Sequence, residues 1–148
     1  MTGRGSEQAW PSATPPAAAD GVSWSLADVA ELPRVRAEAR RHAAATALAN
    51  DPRSEDLRDQ LVLALDEMAS NALRHGGGSR VSASVRLTAE AYLIEVSDEA
   101  ASSPPVPAVD RDPSEGGLGL YLIAELATAH GWYSHGSHKF VWALLPRG

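Results

Sequence analysis

The feature that most constrains the fold is a long apolar stripe that ends at three consecutive glycines. Between residues 54 and 75, four apolar residues recur at spacings of four, three and four: Leu61, Leu65, Met68 and Ala72. This spacing is the period of one buried face of an α-helix. Ser54 or Asp56 can cap its start, and the glycines at 76–78 can end it. The segment therefore predicts a helix that packs on a core by one face.

Extended segments and one more helix are predicted after these glycines. Residues 80–87 alternate with period two and residues 91–97 do so less strictly, which predicts a β-hairpin. After a long proline-rich loop, a helix is expected at about residues 120–130. The segments 132–134 and 139–145 then predict a second hairpin.

The N-terminal part of the chain is less regular. Residues 1–22 are rich in alanine, proline, glycine and serine, so we expect a disordered or loosely docked arm. Its Trp10 can dock on the domain or on a partner, but a casual surface contact is favoured. A short extended piece follows. A helix is then expected from Ala30 or Pro33 to about Asn50.

These elements form a single predicted domain over residues 23–148. Their order is helix, helix, two strands, loop, helix, two strands. This order is typical of an α+β two-layer sandwich, with helices on one face of a mainly antiparallel sheet. A length of 148 residues suits one such core.

Composition and charge exclude several classes of function. Without cysteine, the chain can form no disulfide or thiolate zinc site, and a cytoplasmic location is expected. A net charge of -6 provides little electrostatic attraction for the phosphate backbone of nucleic acid. No apolar run approaches the ~20 residues of a membrane span. Three histidines fit no common zinc spacing: His130, His135 and His138. Lys139 is the only lysine, which excludes a Walker A loop and the strand lysine of eukaryotic protein kinases.

A polar face on the long helix is the first candidate site. At about 100° per residue, Glu67, Asn71 and Arg74 lie roughly opposite the apolar stripe. Such a face can simply be solvated. It can also line a cleft, where an asparagine oxygen suits a hard cation such as Mg²⁺ and a glutamate one turn away can deprotonate a hydroxyl. The helix alone leaves both interpretations open.

Two later segments favour the cleft. Asp98 ends a predicted strand, where a carboxylate can start a turn or accept a hydrogen bond from an exocyclic amine such as that of adenine. In residues 115–120, glycines lie where a loop becomes a helix. Such a loop can be a plain flexible turn, or its bare amides and the positive helix end can hold phosphates. Three signals in this order rarely coincide by chance.

This order of motifs resembles the GHKL superfamily of ATP-binding domains, which includes those of gyrase and the histidine kinases. Within it, the chain is most similar to the anti-sigma-factor serine/threonine kinases and their small actinobacterial relatives. The resemblance covers about residues 23–146. The matching residues are Glu67, Asn71, His75-Gly76, Asp98, the stretch 117–120, and Val141-Trp142 in the last strand.

The resemblance implies a Bergerat ATP-binding fold with a role for each matching position. Asn71 would hold Mg²⁺, Glu67 would be the catalytic base, and Asp98 would bind the adenine amine. Residues 102–114 would form a lid over ATP. Four further residues would lie at the phosphates: Gly117, Leu118, Gly119 and Leu120. The substrate would be a serine or threonine of an antagonist protein, a sigma factor would be a second partner, and a homodimer is expected by analogy.

Two positions depart from the family pattern. Ala100 stands beside the adenine site where the superfamily usually has glycine, and Phe140 stands where a threonine commonly assists adenine binding. Both changes predict a weaker or altered nucleotide affinity. His75 matches the pattern, but it can also cap the helix C-terminus instead of acting in catalysis.

A non-catalytic regulator on the same fold is the alternative function. It would bind a partner, with ATP held structurally or not at all. The small size and Ala100 favour this alternative, whereas Glu67 beside Asn71 favours the kinase. A fragment of a two-component histidine kinase is a weaker third interpretation, because we see no dimerising helical hairpin with a phosphorylatable histidine before the domain.

Overall fold

Three helices and five strands make up the part of the chain that this computed structural model describes, namely residues 10–49, 51–75, 80–99 and 118–147. The helices are α1 (Leu32–Ala45), α2 (Pro52–His75) and α3 (Leu118–Leu126). The strands are β1 (Ala19–Leu26), β2 (Val81–Leu87), β3 (Ala91–Asp98), β4 (Ala129–His135) and β5 (His138–Pro146). A single 3-10 turn, Val29–Glu31, leads into α1.

The strands form one sheet in the order β1-β2-β3-β5-β4. Every neighbouring pair is antiparallel, and the two predicted hairpins are β2-β3 and β4-β5. Helix α2 packs against β2, β3 and β5, with α1 and α3 on either side of it. The predicted α+β class, with helices on one face of an antiparallel sheet, is confirmed.

The core lies between the helices and alternate residues of the strands. Its middle consists of the four residues of the predicted α2 stripe, all buried: Leu61, Leu65, Met68 and Ala72. They belong to one apolar cluster with strand residues of a single parity, such as Val85, Ile94 and Ala143. Strand residues of the other parity, including Ser84 and Glu95, lie on the opposite side of the sheet. We call that side the open face.

The start of α2 differs from the prediction. Oδ1 of Asp51 accepts a 2.9 Å hydrogen bond from the backbone N–H of Ser54. This is the bond that an N-cap side chain makes to the third helical residue. The cap is therefore Asp51, and the helix begins at Pro52, because proline is well suited to a first helical position.

The ends of the other two helices also differ. Helix α1 ends at Ala45, earlier than the expected Asn50. Helix α3 ends at Leu126, earlier than residue 130, because the amide of Thr128 donates a 2.9 Å hydrogen bond to the carbonyl of Leu144. That bond leads directly into the pairing of β4 with β5.

The N-terminal segment belongs to the domain from Trp10 onward. The expected boundary at residue 22 falls inside β1, whose Ala19 pairs with Leu87 of β2. Trp10 is buried, and its ring meets that of His130 edge-on with centroids 4.8 Å apart. The expected surface contact is thus a core contact, because the large indole fills the end of the core beside β4.

The same segment then crosses the open face. The Ala13 amide donates a 2.9 Å hydrogen bond to the Trp132 carbonyl on β4, which is one edge of the sheet. Ala19 begins β1 at the other edge. Five strands span about 19 Å, and the intervening residues reach only about 20 Å when extended. The chain therefore takes a direct path across the sheet. We call residues 10–18 the N-terminal strap.

Candidate functional site

Glu67 and Asn71 lie one turn apart on α2, at the margin of its buried face. Both side chains are half-buried, whereas Arg74 is exposed. Helix geometry puts the pair between Leu63, which is 49% exposed, and the buried Met68. They therefore flank the apolar stripe. The sequence had suggested instead that they lie roughly opposite to it. Their partial withdrawal from water is unlike a plainly solvated face.

Asp98 lies at the end of β3 and faces the helices. It shares the parity of Val96, and its partner in the register is Lys139 of β5. Asp98 is 2% exposed and Lys139 is 5% exposed. The Lys139 Nζ lies 3.6 Å from the Asp98 carboxylate. This buried ion pair was not predicted from the sequence, although a single lysine in an apolar strand is a signal that could have indicated it.

Phe140 does not lie beside Asp98. The alternation along β5 turns its ring to the open face, where it stacks on Tyr133 with centroids 4.9 Å apart. The expectation that Phe140 stands in for a threonine at the adenine site is therefore not met. Lys139 holds the place opposite Asp98 instead.

Helix α3 begins within the glycine-rich stretch, two residues before the expected start. Leu118 and Gly119 form its first turn, and Leu120 is buried in the core. The helix packs against α2 and β5. The amides of a first helical turn have no partner inside the helix, which makes this end suited to anions. Ala100, Gly117 and the predicted lid at 102–114 lie outside the described residues.

A separate polar network lies on the open face. The Tyr133 hydroxyl donates a 2.9 Å hydrogen bond to one oxygen of Glu95, and Arg86 donates a 3.2 Å bond to the other. Burial, followed by the hydrogen bond to the Glu95 carboxylate, raises the pKa of Tyr133 to about 12. A shallow pocket of about 120 Å³ adjoins the network, lined by Ser23, Ser82, Ala83, Ser84, Glu95, Ser97 and Phe140. Of the residues expected at the nucleotide site, only Phe140 lines this pocket.

Of the three C-terminal histidines, His130 lies apart from the other two along β4. Burial against Trp10 lowers the pKa of His130. His135 and His138 pair across a turn in which Gly136 adopts a φ of 63°. Across the described parts of the chain, no three His, Asp or Glu side chains are grouped so that they could hold a metal ion. None of the described helices has both the length and the apolar character needed to cross a bilayer.

Similarity to known proteins extends over most of the chain. The structure of the histidine kinase AdeS from Acinetobacter baumannii is similar, with a TM-score of 0.45 and 16% identity, over 86% of this chain and 68% of that one. No curated protein matches the sequence significantly. The model of the histidine kinase-like ATPase domain matches residues 26–143, from β1 to β5. The chain therefore belongs to the histidine kinase-like ATPase domain family, within the GHKL superfamily that its motifs indicated.

Proposed function

We propose that the chain binds ATP with Mg²⁺ and acts as an anti-sigma-factor-type serine/threonine kinase that phosphorylates a protein antagonist. One observation carries the proposal. Glu67 and Asn71 lie one turn apart at a half-buried margin of α2, and α2 packs on the strand that ends at Asp98. Polar side chains withdrawn from water need partners, and a bound nucleotide with its cation would supply them.

The chemistry of these side chains fits the two groups that the family implies. Asn71 offers a neutral oxygen, the type of ligand that Mg²⁺ prefers. The buried Asp98 carboxylate is an acceptor for the adenine amine, in surroundings where a hydrogen bond is stronger than in water. The first turn of α3, at Leu118, would hold phosphate oxygens through its backbone amides. When bound, Mg²⁺ would offset the charge of the phosphoryl group.

In this proposal Glu67 is the base. Its carboxylate would take the proton from the serine or threonine hydroxyl of the antagonist as that oxygen bonds to the γ-phosphorus of ATP and ADP leaves with the bridging oxygen. Because Glu67 is half-buried, fewer water molecules would reach the proton that its carboxylate takes from the hydroxyl. Backbone amides and the cation would provide charge stabilisation, so the site needs no additional lysine. A second partner that is a sigma factor would be consistent with a cytoplasmic location.

Phosphoryl transfer tests the proposal. The purified chain is incubated with Mg²⁺, γ-labelled ATP and candidate antagonist proteins from the same genome. We expect Glu67→Gln to lower the transfer rate by about 100-fold or more. Glu55→Gln is the matched control, since Glu55 is an exposed carboxylate in the first turn of the same helix. Equal transfer by Glu67→Gln and the wild type would contradict the role of Glu67.

A non-catalytic nucleotide-binding regulator is the second candidate. The Asp98–Lys139 ion pair favours it, because a carboxylate that already faces a buried cation is a weaker acceptor for an adenine amine. In that case the chain would bind its partner, with ATP held structurally or not at all, and no antagonist protein would become labelled in the same assay.

A further inference from the structure

We propose that Lys139 is a specificity-determining residue of the nucleotide site, which with Asp98 lets the site accept 6-oxo purine nucleotides as well as ATP. This rests on the proposed function, since it requires the base to lie at Asp98. The register of the sheet puts the only lysine of the chain directly opposite that aspartate.

The two side chains stand next to each other on the helix side of the sheet. Residues directly opposite in an antiparallel pair have Cβ atoms about 5 Å apart. The Nζ to carboxylate distance of 3.6 Å is an ion-pair contact, longer than a hydrogen bond. An ammonium group carries three N–H donors. Lys139 therefore can hold its contact with Asp98 and direct another donor at a neighbouring base.

The edge of a purine presents two adjacent groups, at N1 and at C6. Adenine has an acceptor at N1 and an amine donor at C6. A 6-oxo purine has the reverse, an N–H donor at N1 and an oxygen acceptor at C6. A carboxylate alone matches the adenine amine but repels a 6-oxo group. Asp98 together with Lys139 offers one acceptor and one donor, which can match either order.

Because the Asp98–Lys139 pair is buried, it should affect the binding of both kinds of base. Each charge is almost fully withdrawn from water, so a base that sets a donor against Lys139 or an acceptor against Asp98 is strongly disfavoured. With adenine, Asp98 would face the amine and Lys139 the N1 acceptor. With a 6-oxo purine, Lys139 would face the oxygen and Asp98 the N1 donor. Both charges keep partners in either complex.

Calorimetric affinities for Mg-ATP and Mg-ITP test the inference on the full chain. ITP is the probe because it carries the 6-oxo group without the 2-amino group of guanine. We expect the wild type to bind the two nucleotides within about tenfold of each other. Lys139→Met removes a donor from both complexes, but it leaves the adenine amine on Asp98 and sets the O6 of ITP beside a carboxylate with no cation to offset it. ITP binding should therefore weaken by at least about tenfold relative to ATP binding. Lys139→Arg should keep the wild-type ratio.

Two results overturn the inference while leaving ATP binding intact. One is a wild-type preference for ATP above tenfold, and the other is an unchanged ratio of ATP to ITP affinity in Lys139→Met. If the Lys139→Met variant does not fold, the ratio of ATP to ITP affinity in the wild type still tests the inference. If the wild type binds neither nucleotide, the proposed function itself fails, and this inference falls with it.

Discussion

The indole Nε1 of Trp142 donates a 2.8 Å hydrogen bond to the backbone carbonyl of Ala13, which precedes it by 129 residues. This bond fastens the N-terminal strap to the open face. Trp142 is 3% exposed and Leu93 is 0% exposed, although the register places both on the side away from the helices. A Cβ at Gly131 would lie 3.0 Å from both the Pro11 carbonyl and the Trp142 ring. The open face thus also contains buried apolar side chains, and the strap backbone contacts one of them, Trp142.

Trp10 should contribute strongly to stability, because it is a buried indole at the start of this strap. We expect Trp10→Ala to lower the free energy of unfolding by about 3 kcal/mol. Trp10→Phe should cost less, because it fills most of the space and removes an indole N–H that has no hydrogen-bond partner among the described residues. Urea unfolding of both variants measures this. Equal losses, or no loss from the alanine variant, would be inconsistent with the packing.

The orientation of α2 can be tested with two leucines two positions apart. Leu61 is 0% exposed and Leu63 is 49% exposed. We expect Leu61→Ala to lower the unfolding free energy by about 3 to 5 kcal/mol. Leu63→Ala should change it by about 0.5 kcal/mol at most. Denaturant titrations of both variants give the comparison, and similar losses would mean that the helix presents a different face to the sheet.

The N-cap of α2 predicts an effect of pH. The hydrogen bond from the Ser54 backbone lowers the pKa of Asp51. A lowered pKa stabilises the fold above the ordinary value and loses that effect as pH falls through the folded pKa. Asp51→Ala should therefore lower the melting temperature at pH 7 and have little effect at pH 2. Asp56→Ala, the cap position expected from sequence, is the control; a larger drop for it at pH 7 would refute the assignment.

The open-face network predicts an effect at alkaline pH. The pKa of Tyr133 is raised to about 12, so its protonated form stabilises the fold fully below the unfolded pKa of about 10. That stabilisation should decline as pH rises from about 10 to 12. Ultraviolet difference titration of the wild type against Tyr133→Phe isolates this group from the other tyrosines. A Tyr133 that ionises near pH 10 would contradict the hydrogen bond to Glu95.

Local periodicity determined how much of the fold could be predicted from the sequence. Helix α2 and the β2-β3 hairpin carry a clear period, and both were found. Strand β1 breaks its alternation, since the register shifts between Ala19 and Val22 and a Cβ at Gly21 would lie 1.9 Å from the Val85 carbonyl. The strap depends on bonds between distant backbone groups, such as that of Ala13, and no local pattern encodes such bonds.

The candidate site shows the same limit. Glu67, Asn71 and Asp98 were selected by motif and spacing, which carry no information on strand register. Phe140 was expected at the adenine site and Lys139 was given no role there. Side chains alternate along a strand, so an error of one position moves a residue to the other side of the sheet. Only the strand register distinguishes the two.

Calorimetric titration with ATP, in Mg²⁺ and in EDTA, tests the central claim that α2 forms one wall of an Mg-ATP site. We expect the wild type to bind one ATP per chain in Mg²⁺. Asn71→Ala should lower that affinity by about tenfold or more in Mg²⁺ but not in EDTA, because it removes a metal ligand. Asp59→Asn, on the exposed side of the same helix, should bind like the wild type. A wild type that binds no ATP, or an Asn71→Ala variant with undiminished affinity in Mg²⁺, would contradict the account.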